Sequence, residues 1–252
     1  MCDTCGCGDP EIVPVEIHDK ILAGNDRTAA HNREHFRESA VVAVNLMGSP
    51  GSGKTAVLEA TARRLAGGQR LPPQRGCRVG GPGLGALAGD LATEHDADRL
   101  RAAGITAKSI TTGSACHLDA EMVHRGLHDF PWRELDYLFI ENVGNLVCPA
   151  VYDLGQAVNV VALSVTEGED KPLKYPVMFR KADLVLLTKT DLLPHLPDVR
   201  IETIAGALAR VMPRPAYFAA SARTGEGMGR WLEWLEHLRM LQGSREASAS
   251  QT

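Results

Sequence analysis

The sequence predicts an α/β fold: a mostly parallel sheet flanked by helices. An apolar run from Ala40 to Met47, interrupted only by Asn45, has the composition of a strand that is buried on both faces of a parallel sheet. A glycine-rich loop, Gly48 to Thr55, follows this run, and a helix is predicted from Lys54 to Ala66. Strand, glycine-rich loop and helix in this order are typical of the first unit of a nucleotide-binding α/β domain.

The glycine-rich loop fits the pattern G-x-x-x-x-G-K-[ST]. Its backbone N–H groups must wrap a phosphate at dihedral angles and distances that a Cβ would obstruct, which explains the glycines. Lys54 supplies a point charge for the β- and γ-phosphates, and the Thr55 hydroxyl is a hard oxygen ligand for Mg²⁺. We therefore expect a bound nucleoside triphosphate, held by Gly48, Ser49, Pro50, Gly51, Ser52, Gly53, Lys54 and Thr55.

Length and charge exclude several classes of protein. The 252 residues fit one α/β domain with terminal extensions, and the net charge of −4 provides no basic surplus for nucleic acid. The sequence has neither an apolar run long enough for a membrane span nor a signal-peptide pattern, so we expect a cytoplasmic protein with no membrane partner. In that reducing compartment the 6 cysteines are better interpreted as metal ligands or free thiols than as disulfides.

The N-terminus carries the pattern C-x-x-C-x-C, in Cys2, Cys5 and Cys7. Three soft thiolates in so short a peptide can bind one metal ion without help from a fold. The amine of Met1 as fourth donor would suit square-planar Ni²⁺, whereas a more distant side chain would complete a tetrahedron for Zn²⁺. We interpret residues 1–39 as a flexible metal-binding segment and linker, with two short helices around Ile17 and His35.

Two acidic residues follow predicted strands near the glycine-rich loop. Residues 67–89 are rich in proline and glycine, so that only Leu84 to Ala88 can serve as a strand, and Asp90 comes next. Leu135 to Ile140 is a clearer strand, and it ends in Glu141. We expect Thr55, Asp90 and Glu141 to order Mg²⁺ and its waters and Lys54, Thr55, Asp90 and Glu141 to serve catalysis, with Asp90 as the candidate that orients the attacking water.

A second set of candidate metal ligands lies in two loops. Cys116 and His117 follow the predicted strand Ile105 to Ile110, and Cys148 lies seven residues beyond Glu141. The loop from Glu141 to Cys148 is one on which a γ-phosphate would be expected to pull. If Cys116, His117 and Cys148 converge, they form a metal site that is mechanically joined to the nucleotide.

The C-terminal half carries a guanine signature. The strand Ala182 to Leu187 is followed by Thr188, Lys189, Thr190 and Asp191, which fits [NT]-K-x-D. A fixed carboxylate there accepts both N1–H and N2–H₂ of guanine, and adenine has no such donor pair. Thr188 in place of asparagine weakens the expected bracing of the loop.

The remaining predictions complete the C-terminal half. They are the strands Ala157 to Val165 and Pro215 to Ala219, the guanine-contacting residues Ser221 and Ala222, a helix from Met228, and a disordered tail, 242–252.

These motifs closely resemble those of the hydrogenase nickel-incorporation GTPases, in the nickel-chaperone group of P-loop GTPases. The resemblance covers nearly the whole chain. It rests on Cys2 to Cys7, Ala30 to Arg33, Gly48 to Thr55, Gly89 to Thr93, Cys116 to Ala120, Glu141 to Pro149 and Gly168 to Arg180. The resemblance implies a P-loop GTPase domain, 40–241, that binds nickel, forms a homodimer promoted by GTP, and delivers Ni²⁺ to the large subunit of [NiFe]-hydrogenase with a HypA-type accessory protein.

The resemblance also assigns the metal sites. It makes Cys2, Cys5 and Cys7 the tight nickel site, and Cys116, His117 and Cys148 a weaker site for nickel or zinc near the dimer interface. The residues alone leave two other functions open. One is a nickel storage or sensing protein with a vestigial nucleotide site, and the other is an ATP-dependent kinase for a small molecule.

Overall fold

The computed structural model describes residues 15–67, 83–90, 94–113 and 115–249, without the side chains of 15–21 and 244–249. The predicted ligands Cys2, Cys5 and Cys7 lie outside the described residues, as does most of the proline- and glycine-rich stretch. The strands are β1 Val42–Met47, β2 Leu84–Asp90, β3 Thr106–Thr111, β4 Tyr137–Glu141, β5 Val158–Ser164, β6 Leu184–Thr188 and β7 Tyr217–Ala219. The helices are α1 Val15–Glu38, α2 Lys54–Ala66, α3 His95–Ala102, α4 Ala120–Leu127, α5 Lys171–Lys174, α6 Pro176–Lys181, α7 Ile201–Val211 and α8 Met228–Ala249.

The seven strands form one parallel sheet in the order β3-β2-β4-β1-β5-β6-β7. β1 lies at its centre, and all of its residues are buried. Val44 and its alternate neighbours pack with α2 and α8, whereas Ala43 packs with α1 and α4 on the opposite face. This alternation explains the continuous apolar run in the sequence and directs the carboxyl end of β1, with the glycine-rich loop, to one edge of the sheet.

β2 is an interior strand, between β3 and β4, despite its glycines. An added Cβ at Gly85 would lie 2.2 Å from Leu135 Cδ1, and one at Gly89 would lie 2.9 Å from Leu118 Cδ1. The glycines therefore make room for side chains that pack over the strand. Backbone pairing with β3 on one side and β4 on the other keeps β2 in the sheet. The weak strand predicted at Leu84 to Ala88 is present, and it extends to Asp90.

α1 is one continuous helix, where the sequence predicted two short ones. Gly24 interrupts the helical pattern, but nothing lies close to it that would force a break. Ala29 and Asn32 are fully buried and Phe36 is nearly so, and Asn32 Nδ2 donates to the carbonyls of Ala120 and Leu154 at 2.9 and 3.2 Å. The second half of α1 thus packs against the rest of the fold.

α8 continues to Ala249, beyond the boundary predicted at residue 241. The Trp231 indole donates to Thr61 Oγ1 at 2.9 Å, and Gln242 Nε2 donates to the carbonyl of Val41 at 3.2 Å. α8 is therefore fastened to α2 and to the start of β1. The sequence analysis did not predict α7. Within the part of the chain that the structure describes, no helix is both long and apolar enough to cross a membrane.

Candidate functional site

The glycine-rich loop leaves the end of β1 in a conformation that its glycines make accessible. Gly51 and Gly53 have φ of 73° and 95°, in the region where a Cβ is disfavoured. At Gly48, an added Cβ would lie 2.4 Å from the carbonyl oxygen of Ala162 on β5. Each glycine is thus required by dihedral angle or by close approach, and the loop leads directly into the N-terminus of α2 at Lys54.

The Lys54 side chain lies inside this loop. It is 7% exposed, and its Nζ donates to the carbonyls of Gly48 and Ser49 at 3.2 and 3.1 Å. Burial lowers the pKa of this ammonium, while the carboxylates of Glu141, Asp96 and Glu167 act in the opposite direction. The protein thus holds a cation where an anionic phosphate would compensate its burial.

The Thr55 hydroxyl joins two carboxyl groups at the start of α2. Its Oγ1 lies 2.7 Å from Glu141 Oε1 and 3.0 Å from Asp96 Oδ1. Burial is the main cause that raises the pKa of Glu141 to about 7, and the neighbouring Asp96 raises it further. The other oxygen, Glu141 Oε2, is buried without a hydrogen-bond partner among the described residues. Two carboxyl groups and a hydroxyl with an unsatisfied buried oxygen are a donor set that suits Mg²⁺.

These groups line a cavity of about 450 Å³ beside the glycine-rich loop. Asp90 also lines it, from the end of β2, but the carboxylate that meets Thr55 from this side of the sheet is that of Asp96. Sequence reasoning missed Asp96. The available signal was the pair of acidic residues in the first turn of α3, a few positions after Asp90 in the sequence.

The predicted base site is formed by the ends of β6 and β7. Thr188 Oγ1 donates to the carbonyl of Ser52 at 2.5 Å, so the threonine that stands in place of asparagine contacts the glycine-rich loop. Ser221 Oγ donates to Asp191 Oδ1 at 2.6 Å and fixes the carboxylate. Lys189 has φ of 59°, and Ala222 adjoins Ser221 in the same loop.

The second candidate site brings together the three ligands that the sequence named. Cys116 Sγ lies 3.0 Å from Cys148 Sγ and 3.9 Å from His117 Nδ1. Counting the ligand atoms of histidine, cysteine, aspartate and glutamate among the described residues, only these three form a group that lies within 4.8 Å of one another. The ring of His117 stacks on Tyr152 with centroids 3.9 Å apart, and burial lowers the pKa of this histidine, which favours the neutral imidazole that binds metals.

A short segment after β4, from Glu141 to Cys148, contacts both sites. Asn145 pairs with Gly48 in an isolated antiparallel bridge, and its Nδ2 donates to the carbonyl of Cys116 at 3.3 Å. A Cβ at Gly144 would lie 2.9 Å from the backbone nitrogen of Pro50, so this segment also packs directly on the glycine-rich loop. The nucleotide loop and the Cys116 loop are therefore joined through one neighbouring backbone.

Glu167 is another residue that sequence reasoning missed. It accepts from Ser49 Oγ at 2.5 Å with one oxygen and from the backbone N–H of Ser164 at 2.9 Å with the other. The signal was the capping-box spacing from Ser164 to Glu167. Glu167 thus fastens the glycine-rich loop to the end of β5.

Comparison with known proteins agrees with this geometry. Residues 42–214 match the family described as CobW/HypB/UreG, nucleotide-binding domain. The hydrogenase maturation factor HypB of Azotobacter chroococcum mcd 1 is 50% identical over 225 residues, which are 89% of this chain and 69% of that protein.

Two solved structures are similar throughout most of the fold. HypB from Archaeoglobus fulgidus is 39% identical with a TM-score of 0.75, over 86% of this chain and 100% of that one. HypB from Helicobacter pylori in complex with nickel is 37% identical with a TM-score of 0.75, over 86% of this chain and 95% of that one. The chain therefore belongs to the CobW/HypB/UreG family of nucleotide-binding proteins, and within it to the HypB hydrogenase maturation factors.

Proposed function

We propose that this protein is a GTP-hydrolysing nickel metallochaperone that assists nickel insertion into the large subunit of [NiFe]-hydrogenase. One observation carries the proposal. The segment from Glu141 to Cys148 begins at a carboxylate of the nucleotide cavity, touches the glycine-rich loop through Asn145, and ends in a thiol of the Cys116 cluster. A ligand that shifts one end of this segment, at the nucleotide cavity or at the Cys116 cluster, should therefore shift the other end as well.

The nucleotide is held at two places, its phosphates and its base. The backbone of Gly48 to Thr55 and the Lys54 ammonium take the phosphates, and the dipole of α2 favours the same anion. Asp191 accepts the two guanine donors, with Ser221 fixing its carboxylate and the Lys189 and Ala222 loops flanking the base. Selectivity for GTP over ATP follows, because adenine would leave this carboxylate unpaired.

Hydrolysis is the attack of water on the γ-phosphorus, which breaks the bond to the bridging oxygen and gives GDP and phosphate. Thr55, Asp90 and Glu141, together with Asp96, would hold Mg²⁺, which neutralises phosphate charge when it is bound. Lys54 stabilises the charge that develops on the phosphoryl oxygens, and Asp90 is the candidate that orients the water. Catalysis here is mostly positioning and electrostatic stabilisation.

Nickel is the cargo. Two thiolates and a neutral imidazole, from Cys116, Cys148 and His117, suit Ni²⁺ and also Zn²⁺. The related protein from Helicobacter pylori was solved in complex with nickel, which supports the choice of metal. Cys2, Cys5 and Cys7 would form the tighter nickel site. Release to hydrogenase would involve a HypA-type partner and a homodimer promoted by GTP.

The decisive experiment measures coupling between the two ligands. Nickel affinity is titrated with GDP and with a non-hydrolysable GTP analogue, and nucleotide affinity is titrated with and without nickel. We expect the two factors to be equal, as linkage requires, at about 5- to 150-fold. The Cys2, Cys5 and Cys7 thiols are replaced by serine throughout, so that only the Cys116 centre reports.

Asn145→Ala tests the path of this coupling. The substitution removes the amide that holds the Cys116 carbonyl but leaves every proposed ligand in place, so both affinities should persist while the coupling factor falls toward one. Asn25→Ala is the matched control, because the Asn25 side chain also bonds two backbone segments, at Asp153 and Ala120, without contacting the Glu141 to Cys148 segment. Independent binding constants in the parent protein would refute the coupling.

A further inference from the structure

Four histidines cluster where α1 and α4 pack, apart from both sites described above. His31 and His35 lie one turn apart on α1, and His124 and His128 are four residues apart at the end of α4. Ring centroids are 4.2 Å apart for His31 and His35, 5.2 Å for His31 and His124, and 5.5 Å for His124 and His128. The proposed function uses none of these side chains.

The spacing of the first pair is that of a chelate. His31 Nε2 and His35 Nε2 lie 2.9 Å apart, where without a metal ion they share one N–H···N hydrogen bond. Imidazole nitrogens lie about 2.0–2.1 Å from a bound transition metal, so two of them at a right angle are separated by roughly 2.9 Å. Right angles are found in square-planar and octahedral sites, whereas a tetrahedral ion holds its ligands farther apart. The pair is therefore set for adjacent positions on one ion.

A buried amide selects the tautomer of the third ring. Asn32 Nδ2 donates to two backbone carbonyls, those of Ala120 and Leu154, which leaves Asn32 Oδ1 as an acceptor. His124 Nδ1 lies 3.1 Å from that oxygen, so it must carry the proton and donate. The lone pair of neutral His124 is then on Nε2. A histidine whose other nitrogen donates to a fixed acceptor is the usual arrangement of a metal ligand.

We propose that His31 and His35, with His124 as third donor, bind a divalent ion of the nickel and copper class on the outer surface of α1 and α4. Within the described residues, only the Cys116 cluster has three ligand atoms of histidine, cysteine or carboxylate within 4.8 Å of one another, and the three imidazoles do not meet this limit. The imidazole site is therefore an open one, in which water completes the coordination and a small rotation brings in His124. It lacks thiolates and should bind more weakly than the cysteine sites. Such a site suits capture of an ion from solution.

The test uses the full-length chain with all 6 cysteines, Cys2, Cys5, Cys7, Cys77, Cys116 and Cys148, replaced by serine, which removes every thiolate. Titration with Ni²⁺ alone by calorimetry should give one equivalent bound, without the thiolate-to-nickel charge-transfer band. His31→Gln/His35→Gln should remove that equivalent, and either single substitution should weaken binding about tenfold or more, because the chelate is lost. His195→Gln, another exposed histidine, is the matched control.

A second measurement needs no histidine substitution. Paramagnetic Ni²⁺ at substoichiometric amounts should broaden the imidazole resonances of His31, His35 and His124 before those of His195. Equal broadening of all histidines, no bound equivalent in the cysteine-free chain, or undiminished binding by His31→Gln/His35→Gln would overturn the proposal. None of these outcomes bears on the coupling of GTP to the Cys116 centre, so the two proposals fail separately.

Discussion

The nucleotide site and the Cys116 centre are built in opposite ways, although one short segment joins them. The glycine-rich loop is a contiguous stretch that binds through its backbone, and its shape follows from glycine dihedral angles and close approaches. The Cys116 centre needs two cysteines that are 32 residues apart, on loops that follow β3 and β4, and these two strands have only β2 between them in the sheet. A local pattern therefore specifies the first site, whereas the sheet order specifies the second.

The two sites also differ in electrostatics. The nucleotide site places Lys54, Glu141 and Thr55 together in the interior, each less than a tenth exposed. The Cys116 centre is covered by an aromatic ring, with Tyr152 stacked on His117. Nucleotide and Mg²⁺ affinity at the first site should therefore depend mainly on charge and pH, whereas nickel affinity at the Cys116 centre should depend mainly on packing.

Removal of the buried cation should have the largest effect. Lys54→Ala leaves developing phosphoryl charge without its compensating ammonium, so GTP turnover should fall about 10²- to 10³-fold. Nickel stoichiometry at the Cys116 centre should be unchanged in the absence of nucleotide. Phosphate-release kinetics and elemental analysis measure the two quantities, with the exposed Lys181→Ala as control. Equal nickel delivery to a hydrogenase by wild type and Lys54→Ala would instead favour a storage protein.

The second-largest effect should come from a change at Asp191, which should alter the specificity for the base. Asp191→Asn replaces two acceptors by one acceptor and one donor, so affinity for GDP should fall about 10- to 100-fold, in line with lost hydrogen bonds to a charged group. Xanthine presents a carbonyl where guanine has its amino group, and the asparagine amide can donate to it. Xanthosine diphosphate should therefore bind the variant better than GDP does. Fluorescence titration checks this, and an unchanged GDP preference would remove Asp191 from the base site.

The contrast explains which features the sequence could predict. β1, the glycine-rich loop and α2 were predicted with accurate bounds, because their glycines and apolar run act locally. β2 was doubtful from the sequence, because Gly85 and Gly89 are explained only by Leu135 and Leu118, which come from distant segments. Local composition cannot reveal such tertiary contacts.

Side-chain contacts between distant segments were also hard to predict from the sequence. Asp96 was missed because its contact with Thr55 joins two helices that are 41 residues apart. The contact of Thr188 with the Ser52 carbonyl had no local signal either, because it depends on how closely β6 approaches the glycine-rich loop. The polar face of α1 suggested a linker, yet Asn32 is buried and satisfied by distant carbonyls. Polar residues buried with long-range partners have no local signature.

The burial of Glu141 in the nucleotide site predicts that the stability of the protein depends on pH. Burial raises the pKa of Glu141 from 4.5 to about 7. Since the folded state holds this proton more tightly than the unfolded state, stability from the protonated group is complete below pH 4.5 and is lost as pH rises through 7. Without metal or nucleotide, the free energy of unfolding should fall by about 1 to 2 kcal/mol between pH 6 and 8. Urea denaturation checks this, and Glu141→Gln should flatten the curve.

The same group should make Mg²⁺ binding sensitive to pH in the opposite direction. A metal requires the ionised carboxylate, so Mg²⁺-dependent GTP affinity should decrease about tenfold per unit as pH falls below 7. If the wild-type and Glu141→Gln curves had the same slope, the titrating group would be another one. Nickel binding at the Cys116 centre provides the comparison, because its pH dependence should follow the thiols and persist in Glu141→Gln.

The smallest effect should come from the ring that covers the metal centre. Tyr152→Leu removes the stack on His117, and an aromatic pair of this kind contributes about 0.5 to 1.5 kcal/mol. Nickel affinity should then weaken about two- to tenfold, because the imidazole is less well oriented toward Cys116 and Cys148. Tyr152→Phe keeps the ring and should retain the affinity. Guanine nucleotide affinity without nickel should be unchanged in both variants, since Tyr152 does not line the nucleotide cavity. Equal losses of nickel affinity in Tyr152→Phe and Tyr152→Leu would assign the effect to the hydroxyl instead of the stacked ring.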